Sequence, residues 1–109
     1  MSRLVQAILL ALLACCATGV VAADIAAGAA KAKEVCQACH GLDGNSQVPD
    51  YPKLGGQRTD YLAKALRDYK SGARKNAIMA GFAGTLSPKD IDDLAAYYSS
   101  QPPVLVVKH

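Results

Sequence analysis

The chain has 109 residues, enough for one domain and too few for two comfortable cores. Apolar residues make up 51% of it, but the large core-fillers are scarce (one Phe, no Trp, five Tyr), so a core built from these side chains alone would be weak. The formal net charge is +3, the acidic residues are mixed among the basic ones and no basic stripe interleaves with aromatics, which argues against a nucleic-acid partner.

Taken in chain order, Arg3 precedes an apolar run from Leu4 to Ala17 broken only by Gln6, and small residues follow to Val21-Ala22-Ala23. This is the pattern of a secretory signal peptide cleaved after Ala23, and it is shorter than the roughly 20 apolar residues that span a bilayer. Leu12-Leu13-Ala14-Cys15 also resembles a lipoprotein signal, in which Cys15 would carry lipid and hold the chain on a membrane. Leu13 fits that signal poorly, and a good Ala-type site follows it. The expected organisation is a leader over 1–23 and one domain over 24–109, exported to the periplasm. Removing 23 of the 109 residues leaves 86, with 11 Lys/Arg against 9 Asp/Glu. Cys15 and Cys16 leave with the leader, so the mature chain keeps only Cys36 and Cys39.

From Ile25 to Cys39 the sequence is rich in Ala and Lys without proline, which predicts a helix running into the cysteine pair. Residues 41–58 hold four glycines and two prolines and read as loop. Thr59 is placed to cap a second helix with an apolar stripe of Leu62, Ala65, Leu66 and Tyr69, ending at Gly72. Residues 73–86, with Met79 between small side chains, read as an irregular strap. Ser87-Pro88-Lys89-Asp90 combines a cap, a first-turn proline and an answering carboxylate, so a third helix starts there and ends before Pro102-Pro103. Ile91, Leu94, Ala95 and Tyr98 share its inner side, with Tyr97 beside them. Val104–Val107 is the nearest strand candidate but has no partner, so the class is all-α, with 102–109 a loose tail.

Cys36-Gln37-Ala38-Cys39-His40 is the attachment pattern of c-type haem. Positions three apart on a helical turn face the same way, so both sulfurs reach one porphyrin edge, and His40 is then held under the iron. A backbone carbonyl of the following loop would fix the free ring nitrogen of His40. Three other readings compete. A Cys36–Cys39 disulfide closes a very short loop and leaves His40 unexplained. A thioredoxin-like pair expects a strand before it and a helix after it. Zinc needs four ligands, with His109 the available fourth. For the second axial position Met79 offers a thioether, and His109 is the alternative.

Beyond this motif, Cys36–Gly41, Gly44-Asn45-Ser46, Tyr51–Gln57, Tyr61-Leu62 through Tyr69 and Gly72, Met79, Leu86-Ser87 and Leu94–Tyr97 follow one another in an order that resembles the class I c-type cytochromes. The likeness is to the short bacterial kind found as half-domains of the dihaem cytochrome c-four, and it covers nearly all of residues 28–101. It implies about three main helices wrapped round one haem c, attached through Cys36 and Cys39 with His40 and Met79 on the iron. It also implies a Pro52 carbonyl on His40, Leu54 against the porphyrin, and a helix crossing at Gly28 and Tyr97. Ala32, where relatives often carry an aromatic, puts tight packing at that crossing in doubt.

The resulting expectation is a periplasmic monohaem electron carrier rather than an enzyme, a monomer or an enzyme subunit that meets redox proteins transiently. A fixed haem subunit of an exported dehydrogenase or oxidase is the alternative, and a haem enzyme or gas sensor would require Met79 to be off the iron. Lys53, Arg58, Arg74 and Lys75 flank the expected haem edge and are candidates for docking.

Overall fold

The computed structural model describes Arg3 and residues 22–104. Almost all of the expected leader, with the Cys15 lipid signal, therefore lies outside the described residues, as do 105–109 of the tail and His109. Between residues 22 and 104 every regular element is a helix: α1 (Ile25–Val35), α2 (Gln37–His40), α3 (Thr59–Ser71), α4 (Ala77–Ala83) and α5 (Pro88–Ser100). None of these is long and apolar enough to cross a membrane.

α5 begins as its sequence dictates. The Ser87 hydroxyl accepts from the Asp90 amide at 3.0 Å, and the Asp90 carboxylate accepts from the Ser87 amide at 2.9 Å. This reciprocal cap with Pro88 behind it satisfies donors that a helix start otherwise leaves open. Ile91, Leu94, Ala95, Tyr97 and Tyr98 are all buried, and they form the core with Ala32, Leu62, Ala63 and Leu86. Only Ile91 and Leu94 are large and fully buried, so the protein-only core is as thin as the composition suggests.

Four expectations need correction. The first helix stops at Val35; Cys36 breaks it, and a separate turn, α2, carries His40. Thr59 is the first residue of α3 rather than its cap, and its hydroxyl donates to Ser99 Oγ at 2.8 Å, tying α3 to α5. The strap over 73–86 contains a helix, because the Asn76 side chain accepts from the Met79 amide at 3.0 Å and starts α4, where three alanines and Met79 outweigh Gly81. The tail is not loose at its start: Asn45 Nδ2 donates to the Pro102 carbonyl at 3.0 Å, and the Val104 amide donates to Asn45 Oδ1 at 3.1 Å.

α1 crosses α5 at Gly28. A Cβ there would lie 2.1 Å from the Asp93 carbonyl oxygen and 2.8 Å from Tyr97 Cβ, so the two backbones meet where only glycine fits. Ala32, one turn on, is completely buried, and a small side chain suits so close a crossing. Helix propensity alone favours Gly28→Ala by roughly 1 kcal/mol. The crossing predicts the opposite sign, a net loss toward the upper end of the roughly 1–3 kcal/mol typical of overpacking, read as a lower denaturant midpoint of the haem-loaded protein.

Candidate functional site

The loop after His40 is held by main-chain hydrogen bonds at both ends. The Gly44 carbonyl accepts from Leu54 and Gly55 at 2.7 and 3.1 Å, and the Gly56 amide donates to the Tyr98 carbonyl at 3.0 Å. Gly44 has φ +75°, and a Cβ there would lie 2.5 Å from Gly55 N and 2.7 Å from the Tyr98 ring. From α5, the Tyr97 hydroxyl donates to the Leu42 carbonyl at 2.5 Å and the Tyr98 hydroxyl to the Gly41 carbonyl at 3.2 Å. Residues 41–56 therefore sit in a fixed position against α5.

This framework holds His40. The residue is 7% exposed, and Nδ1 lies 2.9 Å from the Pro52 carbonyl oxygen, which can only accept. Nδ1 is thus the protonated nitrogen, and Nε2 keeps a free lone pair, the arrangement a metal-ligating imidazole needs. The Tyr51 ring stands edge-on at 6.3 Å between centroids.

His40 opens into a cavity of about 450 Å³ that also takes in Cys36, Cys39, Pro52, Leu54 and Met79. The structure thus brings together all six site residues expected from sequence. The stripe Leu62, Ala65, Leu66 and Tyr69 of α3 lines this space; Leu62 is buried and also joins the core, whereas Ala65, Leu66 and Tyr69 remain half-exposed. Sequence reasoning missed Tyr61, Ile78 and Phe82, all exposed large side chains on the cavity wall. Nothing in the local sequence says that these side chains meet a cavity rather than the core. It also missed Tyr98 as a wall residue and Asn45 as the clamp on residues 102–104.

Cys36 and Cys39 are free, half-buried thiols. Burial pushes the Cys36 thiol up to about 11, moderated by the adjacent Tyr98 hydroxyl, while burial also raises Tyr98, reinforced by the neighbouring sulfur. A reactive redox thiol is one held in the thiolate form, and the buried setting of Cys36 does not favour its thiolate. Among the described residues no three His, Cys, Asp or Glu gather as a metal cluster. The residues do fit haem c: two thiols three apart, an imidazole with the correct tautomer, a thioether on the same cavity, and largely apolar walls.

Of the expected docking cations, Lys53 and Arg74 reach the cavity rim, and the Arg74 guanidinium lies 4.7 Å over the Tyr69 ring. Lys75 is exposed near them. Arg58 is instead paired with Asp60 through contacts of 3.1 and 3.0 Å.

Comparison with known proteins follows the same lines. The sequence model of the family described as cytochrome c oxidase, cbb3-type, subunit III matches residues 23–97. Cytochrome c4 of Pseudomonas aeruginosa is 52% identical over 80 residues, covering 73% of this chain and 39% of that protein. Cytochrome c-554(548) of Halomonas halodenitrificans is 48% identical over 83 residues, 73% of this chain and 99% of the relative. The crystal structure of reduced recombinant cytochrome c4 from Pseudomonas stutzeri superposes with a TM-score of 0.69 at 47% identity, over 74% of this chain and 47% of that one. The chain spans about half the length, or somewhat less, of the cytochrome c4 relatives it matches.

Proposed function

We propose that this chain, which belongs to the class I c-type cytochromes through the family described as cytochrome c oxidase, cbb3-type, subunit III, passes single electrons between redox proteins in the periplasm. Members of this family carry covalently bound haem c, which supplies an iron that changes oxidation state by one electron. One observation carries the reading: a single cavity collects Cys36, Cys39, His40 and Met79.

Each residue has a part in it. Cys36 and Cys39 would anchor the group by thioethers, and the turn that starts at Cys36 sets their spacing. The Pro52 carbonyl holds the His40 ring with Nε2 free to bind a metal. Leu54 and the α3 stripe would pack on the group and exclude water. Met79 would be the second ligand to the iron beside His40, leaving no place for oxygen or peroxide, so that the chain would be a carrier rather than an enzyme and no further catalytic group would be required.

The test is a redox titration of the purified, haem-loaded protein with its intact mass. One reversible one-electron wave, one haem per chain and no binding of carbon monoxide by the reduced form are expected. Ready carbon monoxide binding would mean an open iron and would replace the carrier by a haem enzyme or gas sensor.

Docking is the role we give to Lys53 and Arg74 at the cavity rim and to the exposed Lys75 that follows Arg74 in the chain, where an acidic partner would approach the haem edge. Changing the three to Gln should flatten the ionic-strength dependence of electron transfer to an acidic acceptor and slow the low-salt reaction by about tenfold or more. Arg58→Gln, its charge already answered by Asp60, should have little effect.

A further inference from the structure

The main-chain nitrogen of Asp24 lies 2.8 Å from Oδ1 of Asp93, a carboxylate on α5 that is 3% exposed. The other oxygen, Oδ2, accepts from Lys89 Nζ at 2.6 Å. Burying a carboxylate is costly unless it is paired, so Asp93 depends on these two donors. Within residues 22–104, Asp24 is also the first residue to make these hydrogen bonds. Its side chain accepts from the Ala27 amide at 3.1 Å and caps α1, and its carbonyl accepts from the Gly28 amide at 2.9 Å, whereas Ala22 and Ala23 are exposed.

We propose that the exported chain is cut between Ala23 and Asp24 and that the α-ammonium so released forms a buried ion pair with Asp93, locking α1 onto α5. The proposal rests on the export part of the reading above. In the cut, water adds across the Ala23–Asp24 peptide bond under a peptidase of the export route, leaving a carboxylate on Ala23 and a protonated amine on Asp24. The nitrogen that meets Asp93 is the same atom before and after. What changes is its charge, from a neutral amide N–H to an ammonium with three donors, and 2.8 Å is the length of a charge-assisted bond. A cation at the start of a helix opposes the helix dipole, and here the carboxylates of Asp24 and Asp93 both answer it. The lipidated alternative at Cys15 would leave residues 16–23 as a tether and the Asp24 nitrogen an uncharged amide.

The surrounding charges agree with this. From α5 the pair is faced by Lys89 and Asp90, and from the α1 side by the Asp24 side chain and by Lys31, which lies 4.0 Å from Asp90. Asp93 is held below the ordinary carboxylate range, first by the Asp24 main-chain donor and then by Lys89. A paired α-amine has its folded pKa raised above the ordinary value of roughly 8. Its contribution to stability is therefore complete below that value and lost as pH rises through the raised one. The Asp93 contribution has the opposite sense: present above the ordinary carboxylate range and lost as pH falls through the lowered value.

The experiment uses the haem-loaded protein exported by a host that matures such proteins. Intact mass should give one haem and an N-terminus at Asp24. Acylation of the α-amine, followed against pH, should be about tenfold slower at about pH 6.5, well below both pKa values, than that of a peptide with the same first seven residues, a shift of roughly one unit. Asp93→Asn should abolish the difference. Lys89→Met, which leaves Asp24 as the cation on Asp93, should retain or enlarge it and decides the matter if Asp93→Asn does not fold. An N-terminus elsewhere, including a lipidated Cys15, or an α-amine that reacts like the peptide's, would overturn the proposal. A chain that begins at Asp24 but carries no haem would leave the ion pair standing and overturn the carrier reading instead.

Discussion

Carrying Cys36→Ala and Cys39→Ala together, the exported chain is expected to be recovered without covalent haem, largely unfolded and in a small fraction of the normal yield. The reason lies in how the apolar side chains are divided. Ile91 and Leu94 are the only large, fully buried residues among those described, whereas Leu54, Leu66, Ile78 and Phe82 face the cavity and are half-buried or exposed. Leaving a side chain of that size against empty or wet space forgoes roughly 1.5–3 kcal/mol each. Several together match the whole net stability of a small domain, about 5–15 kcal/mol. A tethered haem supplies the missing surface, and without the tether it is held only by axial ligands. Either single substitution leaves one thioether and should give a coloured but less stable protein. Haem staining on a denaturing gel, intact mass and far-UV circular dichroism measure all three variants. A folded, colourless double variant would show that the helices close on their own and that the cavity is not the centre of the fold.

The sequence revealed those parts of the fold that depend on local chemistry. Ser87-Pro88-Lys89-Asp90 writes its own helix start, and both halves of that reciprocal cap are present. Gly72, at φ +86°, ends α3 where a left-handed residue was expected. Gly28 and Tyr97 meet at the crossing inferred from the family resemblance. The errors share one physical cause, competition between a local signal and a tertiary partner. Thr59 looked like a cap, but its hydroxyl is taken by Ser99 from a helix forty residues away. Asn76 carries no helix-start pattern such as that of Ser87-Pro88-Lys89-Asp90, although its cap on the Met79 amide is what turns the strap into α4. Asn45 belonged to a matched motif, yet its bonds to Pro102 and Val104 join segments whose proximity no local pattern encodes. Within the site, the cysteines, His40 and Met79 were legible because their chemistry is rare, whereas Tyr61, Ile78 and Phe82 were not, because an apolar side chain announces burial without saying against what.

Met79→Ala is the second substitution with a large expected effect, one that separates ligation from packing. Met79 is half-buried on the cavity wall and lies in the first turn of α4, where its amide is fixed by Asn76. If the thioether sits on the iron, its removal opens a coordination position. Carbon monoxide should then bind the reduced protein readily, the thioether-to-iron absorption of the oxidised form should vanish, and the reduction potential should fall by about 0.1 V or more, a modest part of the roughly 0.8 V that axial ligands span. If Met79 merely fills space, Met79→Ala costs stability, on the order of 2–5 kcal/mol for a buried side chain and less for a half-exposed one, while potential and gas binding stay as they were. Met79→His distinguishes the two further, since a second imidazole should close the iron to carbon monoxide yet keep the potential low. Asn76→Ala leaves the sulfur in place and loosens only its helix start. It should therefore weaken the thioether absorption with temperature without abolishing it, tying the cap that the sequence concealed to the ligand that it displayed.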